Sequence, residues 1–242
     1  MSGKSALIIG ATGQTGRYLL RELLDSSVFT RVGEAGRRLT PLDELPANAT
    51  AKLEQKTVDF ENIEAAALHE GKWDVIFITL GTSRKNAGSA ANFEKIDREY
   101  VLNAAKAVKT DGEQRIVYCS TNASNIKSSF LYSHSKALTE QGIADLGYSD
   151  TIVFQPGFLR NTKRPDFRPL EVVLGPVSTL FSYLSSNVEI GVDKLAKSMR
   201  IAGELGTAKL PASAEASKLT WDTKEFTVIG NKGSLLLSKE NL

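Results

Sequence analysis

The sequence predicts an α/β fold, a doubly wound parallel sheet with helices on both faces. Three observations predict it. Short apolar runs alternate with helix-period segments six times between Ala6 and Gln155. A glycine-rich turn separates the first run from the first helical segment. The strongest run, Val75-Ile76-Phe77-Ile78-Thr79, is continuous and rich in β-branched residues, as a strand covered on both faces must be.

The elements follow in order. Ala6-Leu7-Ile8-Ile9 is the first strand. A helix runs from Gln14 to Asp25, with Leu19, Leu20, Leu23 and Leu24 on one face. Arg31 to Ala35 is the second strand, followed by Gly36-Arg37-Arg38. A proline-containing loop covers Thr40 to Thr50, and Lys52 to Val58 is the third strand. A short helix is expected over Ile63 to His69. After the Val75 strand, Asn92 to Lys109 reads as one long helix. Arg115 to Cys119 is the fifth strand, Tyr132 to Leu146 a helix, and Thr151 to Gln155 the sixth strand, stopped by Pro156-Gly157. Beyond this point the alternation ends. Residues 158–190 form a small substrate-covering region, with short helices expected at Val172 to Leu174 and Leu180 to Leu184. A helix spans Asp193 to Ala202, residues 204–224 read as a loop-rich insertion, Phe226 to Ile229 is a last strand, and Gly233 to Lys239 closes the chain as a turn of helix. The expectation is one domain over residues 1–242.

The glycine turn carries the first chemistry. Gly10, Gly13 and Gly16 fall at a G-x-x-G-x-x-G spacing between strand and helix, the arrangement of a Rossmann-type dinucleotide site. The helix N-terminus offers unpaired N–H groups and a positive dipole end to a pyrophosphate. The second strand delivers Arg37 and Arg38 where an acid would bind the ribose of NAD, so NADP(H) is expected. Glu34 is the alternative ribose acid if that strand ends two residues earlier. Asp59, at the end of the third strand, is within reach of an adenine amino group or is an ordinary strand-ending aspartate.

Tyr132 and Lys136 form a Y-x-x-x-K pair on one helix face. An ammonium beside a phenol favours the phenolate, so Tyr132 is a candidate general acid or base. Ser120 and Thr121, at the end of the preceding strand, are both candidates to hold a substrate oxygen. His134 points away from the Tyr132 face and His69 reads as a surface residue. With one cysteine and two well-separated histidines, no metal site is expected.

These motifs together resemble the short-chain dehydrogenase/reductase superfamily in its atypical NAD(P)-binding branch. More narrowly, Gly10-Ala-Thr-Gly-Gln-Thr-Gly-Arg17, Gly36-Arg-Arg38, Val58-Asp-Phe-Glu61, Leu80-Gly-Thr82 with Arg84, Ile96-Asp-Arg-Glu-Tyr-Val101, Ser128-Ser-Phe-Leu-Tyr132 and Pro156-Gly157 resemble the Tat-interacting oxidoreductase (CC3) family. The likeness covers about residues 5–203 and, more loosely, the tail from Phe226. It implies NADPH binding by Gly10, Thr12, Gly13, Thr15, Gly16, Arg37, Arg38, Asp59, Leu80, Gly81 and Lys136, with Gln14, Phe60, Thr82 and Pro156 beside them. It implies catalysis by Tyr132 and Lys136 with Ser120 or Thr121. It further implies oxidoreductase-like activity, regulatory roles in animal members, and peripheral attachment to the outer mitochondrial membrane in fungal ones. The chain departs from the family at Gln155, where Arg usually precedes Pro-Gly, and at Thr121, where the hydroxyl pair is usually Ser-Ser. It also departs at Gly33 and Glu34 in an otherwise apolar strand, and in the 204–224 insertion.

Composition bounds the rest. Hydrophobic content of 41% with 24% charged residues is the balance of a water-soluble domain. A net charge of +2 argues against a dedicated nucleic-acid surface. The single cysteine, Cys119, fits a reducing compartment. The first strand starts too early to leave room for a targeting peptide, and no run of apolar residues is long enough to span a bilayer. The expected partner is a small hydrophobic molecule, and the expected location is the cytoplasm or the surface of the mitochondrial outer membrane. Oligomeric state stays open.

Overall fold

The computed structural model describes residues 3–47, 49–160 and 188–241. Its sheet begins with β1 (Lys4–Ile9), β2 (Phe29–Gly36), β3 (Leu53–Thr57), β4 (Val75–Ile78), β5 (Arg115–Cys119) and β6 (Asp150–Gln155). A separate two-stranded parallel ribbon pairs β7 (Phe158–Arg160) with β8 (Glu189–Gly191). The main sheet is completed by β9 (Ser217–Trp221) and β10 (Lys224–Gly230), in the order β3-β2-β1-β4-β5-β6-β10-β9. Every neighbouring pair is parallel except β9 with β10. The strand order reverses between β1 and β4, so a crevice opens at their carboxyl ends.

The period-2 alternation of the strands divides the core in two. Ala6 and Ile8 of β1, Phe77 of β4 and Phe154 of β6 face α1 (Gly16–Asp25) and α6 (Val192–Leu205). There they meet Leu19, Leu20, Leu23, Leu195 and Met199. Leu7 and Ile9 of β1, Ile76 and Ile78 of β4, and Tyr118 of β5 face the opposite way. They pack on α4 (Tyr100–Val108) and α5 (Leu131–Asp145) through Val101, Ala105 and Ile143. Two filled layers leave the sheet only its ends to offer a ligand.

Several boundaries differ from the sequence reading. The expected helix over Ile63 to His69 is instead two 3₁₀ segments, Phe60–Ala66 and Leu68–Gly71. Ala67 separates them with φ of 45°, a left-handed conformation that no continuous helix tolerates. The expected long helix Asn92 to Lys109 is interrupted. Upstream of it lies a one-turn α2 (Arg84–Ala87); then α3 (Ala90–Glu94) passes through a π turn at Lys95–Glu99 into α4. The 204–224 region is not loop throughout, because it contains β9, whose residues are all exposed. The chain closes with α7 (Asn231–Leu237). The short helices expected at 172–174 and 180–184 lie outside the described residues, as does most of the covering region.

Gly33, unexpected in a buried strand, has a steric reason. A Cβ there would lie 2.5 Å from the Trp73 ring and 2.8 Å from a Leu7 methyl. Trp73 fills the space a side chain would take, and the Arg31 guanidinium lies over its ring with Cζ 3.9 Å from the ring centroid.

Candidate active site

The glycine turn begins where β1 ends. Gly10 has φ of +101°, which an L side chain would strain, and a Cβ on it would come 2.9 Å from the Leu80 nitrogen. A Cβ on Gly16 would lie 2.1 Å from the Gly10 carbonyl oxygen. The start of α1 thus sits directly against the turn. Thr79, just past β4, locks the two strand ends together: its nitrogen donates to Ile9 O at 3.0 Å and its hydroxyl to Gly10 O at 3.0 Å. Thr15 at the N-cap of α1 makes no side-chain cap bond. A glycine cradle ahead of a helix N-terminus without a side-chain cap fits the pyrophosphate of a dinucleotide, and Gly10, Thr12, Gly13, Gln14, Thr15 and Gly16 are the residues that would hold it.

Leu80 and Gly81 carry the crevice from β4 toward α5. A Cβ on Gly81 would stand 3.3 Å from Asp97 Oδ1 and 3.7 Å from Lys136 Nζ. Thr82 donates its backbone N–H to Asp97 Oδ1 at 3.1 Å. Lys136 is only 4% exposed, with Nζ 3.1 Å from Tyr118 Oη and 3.0 Å from Asp97 Oδ2. The Asp97 contact is a charge contact too oblique for a hydrogen bond, since Oδ2 has no hydrogen-bonded partner. Burial works against the Lys136 charge, but Tyr118 and Asp97 outweigh it and hold its pKa well above the ordinary lysine value. Tyr118 stays a neutral phenol at neutral pH, because burial pushes it far above its usual range.

Tyr132 lies one helical turn before Lys136 and is 41% exposed, its ring 6.0 Å from that of Phe93. The electrostatic coupling of Tyr132 to Lys136 places the two in one neighbourhood. The hydroxyls at the end of β5 have different environments. Ser120 hydrogen-bonds Glu140 Oε1, whereas Thr121 Oγ1 accepts from Ala123 N at 3.3 Å. Glu140 Oε2 accepts from Gln155 Nε2 at 3.0 Å. Burial raises the Glu140 pKa, opposed in part by bonds from Ser120, Ser124 and Gln155 and by the Lys136 charge. Cys119, between Tyr118 and Ser120, is pushed up to about 11 by burial and stays a thiol.

At the other end of the crevice, Glu34 is 1% exposed and engaged. Its Oε1 accepts from Thr40 N at 2.9 Å and Thr40 Oγ1 at 2.8 Å, and its Oε2 from Gln55 Nε2 at 2.8 Å. Both of its oxygens are thus engaged within the protein, and β2 runs past it to Gly36. Arg37 and Arg38 follow β2 and are exposed. Asp59 caps the 3₁₀ turn behind β3 by accepting from Glu61 N at 3.0 Å, and Phe60 is buried in stacking on Tyr100. Pro156 is buried past β6, its carbonyl accepting from Asn122 N at 2.9 Å. His134 Nδ1 lies 2.8 Å from Ile126 O, and His69 is exposed. Among the described residues no group of acidic, cysteine and histidine side chains could hold a metal ion.

Sequence reasoning gave no role to Asp97, Tyr118 or Glu140. Glu140 stands four residues after Lys136, the same spacing as the Tyr132–Lys136 pair, and that stripe was its available signal. Asp97 has none, because only the π turn carries it to Lys136.

A parallel sheet with a glycine turn at the point where its strand order reverses defines the class of dinucleotide-binding α/β proteins. Comparison with known proteins agrees. A family profile described as NAD(P)H-binding matches residues 10–172. Protein HTATIP2 of Rattus norvegicus is 37% identical over 168 residues, covering 68% of each chain. "Protein FMP52-1, mitochondrial" of Scheffersomyces stipitis is 37% identical over 156 residues, covering 64% of this chain and 67% of its own. Among solved structures, a short-chain type dehydrogenase/reductase from Mycobacterium ulcerans superposes with a TM-score of 0.63 at 18% identity, covering 98% of this chain and 92% of its own. The chain belongs to the NAD(P)H-binding family, in the branch that holds HTATIP2 and the fungal FMP52 proteins.

Proposed function

We propose that this protein is an NADPH-dependent reductase of a small hydrophobic carbonyl compound. One observation carries the reading: the glycine turn, the end of β4 and the Lys136 ammonium are in direct succession. Gly10 abuts Leu80, and Gly81 abuts Lys136 and Asp97. A nucleotide held at the turn would therefore extend toward the Tyr132–Lys136 face of α5. Bound NADPH supplies a hydride to the carbonyl carbon.

The chain's own residues do the rest. Tyr132 donates its phenolic proton to the carbonyl oxygen as negative charge develops there, which closes the balance of the reduction to an alcohol. Lys136, fixed by Asp97 and Tyr118, holds the nicotinamide ribose and provides the positive field beside the phenol. Ser120 or Thr121 hydrogen-bonds the same oxygen. Arg37 and Arg38 take the 2′-phosphate, and Asp59, Phe60, Thr82 and Pro156 complete the nucleotide walls.

The test is oxidation of NADPH with a panel of aldehydes, ketones and quinones. Tyr132→Phe is expected to lower turnover by about 10²–10⁴-fold with NADPH affinity nearly unchanged. A variant that turns over like wild type would sink the role of Tyr132. Tight NADPH binding with no turnover of any panel member would favour a nucleotide-binding regulatory protein.

For location, we propose a cytosolic protein or one attached peripherally to the mitochondrial outer membrane. A fungal relative is named mitochondrial, and among the described residues no helix is long and apolar enough to cross a membrane. Washing mitochondria with alkaline carbonate should release the protein; retention in the pellet argues for integral insertion.

A further inference from the structure

The reductase reading leaves one buried acid without a task. Glu140 lies one turn beyond Lys136 on α5, its two oxygens engaged by Ser120 Oγ and Gln155 Nε2. A serine hydroxyl has a single hydrogen. Against an ionised carboxylate, which only accepts, Ser120 must direct that hydrogen at Glu140. Its oxygen then presents lone pairs alone to a substrate carbonyl. Against a protonated carboxyl the polarity reverses: Glu140 donates to Ser120 Oγ, and the Ser120 hydrogen is free for the substrate oxygen.

We propose that Glu140 is a positioning residue that sets the direction of the Ser120 hydrogen, so that Ser120 stabilises the reacting oxygen only while Glu140 holds a proton. The proposal rests on the reductase reading of the site. It also separates the two hydroxyls at the end of β5, since among the described residues Thr121 makes no such bond to an acid.

The surroundings favour the protonated form. Lys136, on the same helix, is the cation that acts on Glu140, and its charge is matched by Asp97 from the π turn. Tyr118 faces it from β5 as a neutral phenol, and β6 contributes only the neutral amide of Gln155. The other cations of the π turn are engaged elsewhere, Lys95 with Glu61 at 2.6 Å and Arg98 with Glu94 at 3.2 Å. Glu99 of that turn, Lys106 of α4, and Lys224 and Glu225 of β10 are exposed to solvent. Desolvation is the largest influence on Glu140 and outweighs the Lys136 charge and the surrounding hydrogen-bond donors, which shifts the balance toward the uncharged acid.

Two measurements test this. The first is turnover against pH. Wild type should lose the Ser120 contribution as pH rises and Glu140 ionises, falling toward Ser120→Ala, which should be slower by roughly 10²-fold. Glu140→Gln places an amide N–H where the acid proton was, so its turnover should hold into the range where wild type falls. In the Ser120→Ala background, Glu140→Gln should change nothing. A merely structural Glu140 would leave the wild-type and Glu140→Gln profiles parallel, and that result overturns the proposal. The second measurement needs no substrate. Infrared difference spectra of wild type against Glu140→Gln should contain the carbonyl stretch of a protonated carboxyl at neutral pH, displaced in Ser120→Ala. Absence of that band overturns the proposal by itself. If instead the band appears and no carbonyl compound is turned over, it is the reductase reading that fails.

Discussion

Glu34 accepts hydrogen bonds on both carboxyl oxygens from Thr40 and Gln55, while Arg37 and Arg38 just past β2 are exposed, and the proposed 2′-phosphate site rests on those two arginines. A charge-assisted contact to a phosphate contributes about 1.5–3 kcal/mol, so the expected preference for NADPH over NADH is roughly tenfold or more. Replacing both arginines with alanine should bring the two affinities together, as read by calorimetric titration. Equal affinities in the wild type would defeat this. Lys136 calls for a different variant from the one its spacing suggests. Lys136→Ala removes the partner of a buried carboxylate, and an unpaired buried charge costs about 3–5 kcal/mol. Loss of activity in that variant therefore reports folding as much as chemistry. Lys136→Arg, which keeps the charge for Asp97, is the more informative change.

At the scale of elements, the sequence was readable wherever a segment's own pattern decided its state. The β1 turn, the buried β4 run and the leucine face of α1 each carry their signal locally, and all three stand within a residue or two of their expected bounds. The misses share a cause. The π turn at Lys95–Glu99 inserts one residue into a helix whose composition is helical on both sides, so nothing in the local pattern marks it. Yet it is what turns Asp97 inward to meet Lys136 and the Thr82 N–H. β9 is exposed along its whole length and joins β10 through Asp222-Thr223, not the Asn-Gly or Asp-Gly pair that announces a two-residue hairpin. Its strand character comes from pairing with β10. Likewise, Y-x-x-x-K spacing was legible while the bond between Ser120 and Glu140 was not, because it joins a strand end to a helix twenty residues away.

For the whole molecule, the end of the sheet opposite the crevice is closed by a polar clasp. Asp150, at the start of β6, receives Arg115 Nε of β5 at 2.6 Å, Thr207 N at 3.0 Å and Thr207 Oγ1 at 2.6 Å. Arg115 also donates to Gly203 O near the end of α6, and Thr207 Oγ1 accepts from Thr227 Oγ1 of β10 at 2.9 Å. The clasp thus joins three parallel strands to the helix that packs on α1. Burial pushes the Asp150 pKa up, but the Thr207 bonds and Arg115 outweigh it, so the folded value lies below the ordinary one. A depressed carboxyl pKa contributes stability that is fully present above the unfolded value, about 3.9, and is lost as pH falls through the folded value. Asp150→Asn should therefore destabilise the protein by roughly 1.5–3 kcal/mol at neutral pH, the worth of hydrogen bonds to a charged group. The gap between wild type and variant should narrow as both are acidified below about pH 4, where the carboxyl of the unfolded chain begins to gain its proton ahead of the folded one. Because the clasp lies across the sheet from the glycine turn, the stabilisation conferred by saturating NADPH should be the same in both proteins. Chemical denaturation at a series of pH values, with and without NADPH, measures all three quantities. A wild-type-to-variant gap that stays constant down to the acid limit would show that Asp150 holds the clasp by hydrogen-bond geometry and not by its charge.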